Sequence, residues 1–122
     1  MVVGPDNGNS WTTNVTTTSP RLDFKVNFTA GTFFLHIRGD GSNGANDSCW
    51  GGRDGVQLTT VYDYPETVNS WAWRTVSLGS VTAGIHTINV WAREDGLRLD
   101  KIVINTSSTA PTGAGPAESV LN

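Results

Sequence analysis

The chain has 122 residues, enough for one hydrophobic core and too few for two, because two smaller cores would not offset the entropy of ordering their chains. Charged residues are only 16%, and the polar balance lies in Thr, Ser, Asn and 14 glycines, which favours strands joined by turns and excludes a helical bundle. A net charge of -3 opposes binding to a phosphate backbone and no apolar run approaches the roughly 20 residues that cross a bilayer, so neither nucleic acid nor a membrane is an expected partner.

In chain order, Arg21 to Phe28 alternates with Leu22, Phe24, Val26 and Phe28 on the core face, the period of a half-buried strand. A turn at residues 29–31 leads to a second strand, Thr32 to Arg38, with Phe33, Leu35 and Ile37 inward and Phe34, His36 and Arg38 outward. Gly39 to Ser48 is turn chemistry throughout and forms a long surface loop. Further strands are predicted over Cys49 to Gly51, Val56 to Tyr62, Trp73 to Leu78, Ile85 to Arg93 and Leu97 to Asn105, with turns between them. Seven or eight short strands close most naturally as an antiparallel β-sandwich. Residues 1–106 form this domain; 107–122, rich in Thr, Ser, Pro, Gly and Ala, are expected to be a flexible linker to a neighbouring domain.

Cys49 stands alone, which rules out an internal disulfide and a four-cysteine zinc site. N-x-S/T sequons begin at Asn14, Asn27, Asn46 and Asn105, and chance accounts for them in a chain of this composition.

Five tryptophans are many for so small a core, so the direction of each ring matters. Val76 and Leu78 face inward, which puts Trp71 and Trp73 on the opposite face or in the preceding loop. Sugar rings present apolar C–H faces rimmed by hydroxyls, and a flat aromatic ring flanked by polar side chains suits them. Trp71 and Trp73 are therefore candidate platforms, with plugging of the sandwich end as the alternative. Trp50 is a third candidate, and the neighbouring Asn46 and Asp47 are candidate polar contacts, with turn formation the alternative account. Trp91 and Arg93 lie opposite the core-facing Ile88 and Val90; pairing of their strand near Thr32 to Arg38 would build a mixed face with Phe34, His36, Arg38 and Asn89, whereas the plainer reading is a second packing layer under a loop.

Asp100, entering the apolar run Ile102 to Ile104, wants a cation or hydrogen-bond donors, and calcium is the usual solution in extracellular β-domains. No nucleophile elbow, zinc-protease pair or phosphate-cradling loop is present, and no carboxylate pair is singled out among Asp40, Asp47, Asp54, Asp63 and Asp95.

Taken together, GPDNGNS, SPRLDFKVNF, GTFFLHIRG, NDSCWGGRDG, SWAWRTVSL, GIHTINVWAREDGLRLDKIVI and PTGAGPAES resemble a repeating accessory domain of secreted bacterial polysaccharide-degrading enzymes. That domain belongs with the galactose-binding-like jelly rolls and is similar to carbohydrate-binding module families 6 and 35 and to malectin-like domains. The resemblance implies a ligand cleft between loops at one end, with Trp71 or Trp73 as platform, Arg98 in the polar position before the Leu-Asp pair, and Asp100 near a structural calcium. Arg98 stands where those families commonly carry Asn, which suits an anionic sugar; the opening MVVGPDNGNS lacks their acidic strand, which implies a weakened metal site. The expected function is thus non-catalytic binding of a polysaccharide by a module tethered to a catalytic domain. The rivals are a structural or adhesion domain of the same fold, and a small lyase or hydrolase in which Arg93, Arg98 and Tyr62 or Tyr64 converge.

Overall fold

Alternation of apolar and polar residues resolves into eight strands and one short helix in the computed structural model, which describes residues 7–118. They are α1 (Val15–Thr18), β1 (Arg21–Phe28), β2 (Gly31–Asp40), β3 (Ser48–Arg53), β4 (Val56–Gln57), β5 (Tyr62–Asp63), β6 (Ala72–Val81), β7 (Gly84–Ala92) and β8 (Arg98–Asn105). A five-stranded antiparallel sheet runs β1-β7-β3-β4 with β5 on β3, and a three-stranded sheet runs β6-β2-β8. The two make the expected β-sandwich, with Leu35, Ile37, Leu78, Ile88 and Val90 filling the space between them. Among the described residues no helix is long and apolar enough to cross a membrane.

The single strand expected over Val56 to Tyr62 is two short ones. Leu58 donates its N–H to Gly51, and the chain then leaves the sheet before β5 pairs with the start of β3. The mixed face joining β2 to β7 does not form, because these strands belong to different sheets. His36 and His86 are likewise apart: His36 meets Thr75 and Asn105 on the outer face of the small sheet, while His86 meets Asp54 at the far turns.

Each outer face carries a cover. Over the five-stranded sheet, the segment before β1 is tied down by Trp11 N–H to Arg93, Ala92 N–H to Pro20 and the Ser19 hydroxyl to Ala92, and α1 seats the buried Val15. Beneath it Trp91 is fully buried outside the main core, its ring so close to Gly52 that a Cβ there would lie 2.5 Å from it. Only glycine fits that position. The second packing layer, not the ligand-facing reading, is therefore the correct one for Trp91.

Part of the segment expected to be free linker, Gly113 to Pro116, contacts the three-stranded sheet instead. The Trp73 indole N–H bonds Gly113 at 2.9 Å, Lys101 donates to Pro116, and Gly115, at φ 76°, would place a Cβ 2.7 Å from the Trp73 ring. Composition judged this tail too polar to pack, but tryptophan and glycine backbone make a flat contact that needs no apolar run. The opening MVVGPD and the last four residues of the expected linker lie outside the described residues.

Candidate functional site

Asp40 ends β2 with a carboxylate that is 1% exposed, and a buried charge needs partners. It accepts the N–H groups of Asn69 at 3.1 Å and Ser70 at 2.9 Å and pairs with Arg98, its register partner across the β2–β8 ladder. The loop before β6 is thereby clamped to two strands, and Trp71 is delivered at a fixed place at the end of the small sheet. The Arg38 guanidinium carbon lies 5.2 Å from the centre of the Trp71 ring and that of Arg98 lies 5.4 Å from it, both within cation–π range.

Arg38 also pairs with Asp100, and Arg98 donates to Asn69 at 3.0 Å. These bonds use Nη1 of Arg38 and Nη2 of Arg98. A guanidinium has five N–H groups, so among the described residues both arginines retain donors beside a half-buried indole. The arrangement suits a ligand with a flat apolar face and several hydroxyl or carboxylate acceptors.

A second aromatic group lies at the start of β3. Trp50 is half-buried, its indole N–H bonds the Trp11 carbonyl at 3.1 Å, and the Arg93 guanidinium lies 5.9 Å from its ring. Arg93 donates to Ser48 and Glu94. Glu94 in turn accepts the Asp47 N–H and the Ser48 hydroxyl, so Trp50 rests on a buried polar network. Burial first, then a hydrogen bond with Glu94 and repulsion from Glu94, Asp63 and Glu66, pushes the Asp47 carboxyl up to about 7.

The expected site residues thus separate. Trp71 and Arg98 come together, and Trp50 joins Arg93. Trp73 is occupied by the tail and Trp91 is sealed in the second layer. Asn46 and Asp47 are both 5% exposed and hold the long loop from within, Asn46 through Ser42 and Asn43, so turn formation is the better account of both. Asp100 is satisfied by Arg38, and a divalent cation at that carboxylate would be repelled by the guanidinium. Among the described residues no group of His, Cys, Asp and Glu side chains is assembled to hold a metal ion. The residues around Asp100 therefore do not fit the calcium that the resemblance implied.

Sequence reasoning missed the roles of Asp40, Asn69 and Trp11, because each acts through a partner distant in the chain. It placed Arg38 outward by parity, and only the β2–β8 register shows what it meets. The catalytic rival loses its tyrosines: Tyr62 and Tyr64 are buried and donate their hydroxyls to the Leu35 and Ile37 carbonyls at 2.8 Å.

Three comparisons bear on this geometry. The family model of the glycosyl hydrolase family 115 C-terminal domain matches residues 64–118, from the loop before β6 through the tail. No curated protein matches the chain in sequence. Among solved structures, a family 35 carbohydrate-binding module from Clostridium thermocellum is similar at 15% identity and a TM-score of 0.59, over 71% of this chain and 70% of that one. The C-terminal family 6 module of a marine laminarinase from Zobellia galactanivorans is similar at 20% identity and a TM-score of 0.54, over 70% and 72%. The fold is that of the family 35 and family 6 carbohydrate-binding modules. The same fold is a small part of larger enzymes: a cycloalternan-forming enzyme from Listeria monocytogenes matches at 17% identity and a TM-score of 0.55, over 69% of this chain and 8% of that one.

Proposed function

We propose that this chain is a non-catalytic carbohydrate-binding module of a secreted polysaccharide-degrading enzyme, holding an attached catalytic domain on its substrate. The observation that carries this reading is Trp71, a half-buried ring fixed by the Asp40 clamp and flanked by two guanidiniums that keep free donors. The shared fold and the match to a glycosyl hydrolase C-terminal domain support it. A shallow platform of this kind gives micromolar to millimolar affinity, which is enough to concentrate a tethered enzyme.

The test is affinity electrophoresis of the protein in gels containing neutral or uronic-acid polysaccharides. Retardation by at least one polysaccharide is expected, weakened about tenfold or more by Trp71→Ala, with Trp73→Ala as a control that keeps its affinity. Retardation that survives Trp71→Ala in a folded protein would move the site elsewhere. Binding to none of the polysaccharides would favour the structural or adhesion reading.

A further inference from the structure

Arg38 joins Trp71 to Trp73. It faces Trp73 across the β2–β6 ladder, its guanidinium carbon lies 5.2 Å from the centre of the Trp71 ring, and on its other side it faces Lys101 across the β2–β8 ladder. Because Leu35 and Ile37 belong to the core, Arg38 points outward, and its partners Trp73 and Lys101 share that face. The row Trp73, Arg38, Lys101 therefore continues the Trp71 platform with a second indole and a second set of donors.

Part of the chain itself lies on this row. The Trp73 indole N–H donates to the Gly113 carbonyl at 2.9 Å, the Lys101 ammonium donates to the Pro116 carbonyl, and between these anchors Gly115 packs against the Trp73 ring. These are the contacts a sugar makes: acceptor oxygens for an N–H and an ammonium, and a C–H surface for the ring. The segment buries no side chain of its own. Thr112, Gly113, Ala114 and Pro116 to Glu118 are all exposed, and Gly115 is half-buried. Glycine is required at the contact, since at φ 76° a Cβ would stand 2.7 Å from the ring and lift the chain away.

We propose that Gly113 to Pro116 form a strap that occupies, in place of ligand, a second sugar subsite made by Trp73, Arg38 and Lys101. The proposal rests on the reading of Trp71 as a sugar platform and adds a device that limits it. With the strap seated, the module binds through Trp71 alone. With the strap lifted, one polysaccharide chain spans both indoles. Segments that bury no side chain belong to the low-stability end of local opening, which suits a displaceable cover.

Isothermal titration of the full chain with laminarin, xylan and polygalacturonate tests the strap. Gly115→Val drives the segment off the ring and leaves every residue of both subsites in place. Acrylamide quenching of tryptophan emission should increase, and binding of at least one polysaccharide should tighten about threefold to tenfold, the worth of one stacked ring. Gly115→Ala, a smaller intrusion, should move both readouts in the same direction. Adding Trp73→Ala to Gly115→Val should cancel the gain. Wild-type binding that Gly115→Val leaves unchanged or weakens would overturn the strap and spare the Trp71 platform. A gain that survives Trp73→Ala, or quenching unchanged in both folded glycine variants, would overturn it as well. Binding by Gly115→Val and not by the wild type would support the strap while removing Trp71 as the principal ring, and binding by neither would overturn both.

Discussion

Asp40 and Asp47 are both buried carboxylates at the loop end, and their surroundings differ. Asp40 accepts from two N–H groups and a guanidinium. Asp47 meets Glu94 with Asp63 and Glu66 nearby, and its carboxyl is pushed from 3.8 up to about 7. An acid whose folded-state pKa lies above its unfolded value keeps a proton that the unfolded chain releases, so its contribution to stability falls as pH rises through that window. Urea unfolding midpoints are therefore expected to decline between pH 3.8 and about 7 and to level off above, with Asp47→Asn removing most of the decline. A midpoint that rises over the same range in the wild type would refute the shared-proton picture.

At the scale of elements, the covers over the two sheets matter more than any one strand. A strand alternating apolar and polar residues leaves its outer face wet, yet His36 and Trp91 are both fully buried on outer faces. The pre-β1 segment lies over the sheet that carries Trp91, and the tail contacts the sheet that carries His36 through Trp73 and Lys101. Ending the chain at residue 106 removes the Gly113 and Pro116 contacts and uncovers the Trp73 ring. The melting temperature should then fall by about 5 to 10 °C, since exposing much of one indole costs about 1 to 2 kcal/mol in a domain of this size. An unchanged melting temperature would return the tail to the role of free linker.

For the molecule as a whole, the Arg38–Asp100 pair sets an expectation about calcium. With Asp100 paired to Arg38 and no assembled donor set among the described residues, a chelator is expected to leave the melting temperature unchanged within about 1 °C. A calcium-dependent rise of several degrees would require ligands from outside residues 7–118.

Local periodicity was sufficient to read most of the strands and the sandwich, though not the break between β4 and β5, because alternation and turn chemistry are written within eight or ten neighbouring residues. Trp71 was singled out for a similar reason, since it sits outside a strand's inward row, whereas Arg98 was singled out only by the family resemblance, as the residue before a Leu-Asp pair. The tertiary structure alone decided which rings are free. Trp71, Trp73 and Trp91 are alike in local sequence, and what separates them is contact with Arg38 and Arg98, with Gly113 and Gly115, and with Gly52. Strand pairing and chain path set those contacts, and alternation constrains neither, since a strand's period shows which way a side chain points and not what the rest of the chain lays over it.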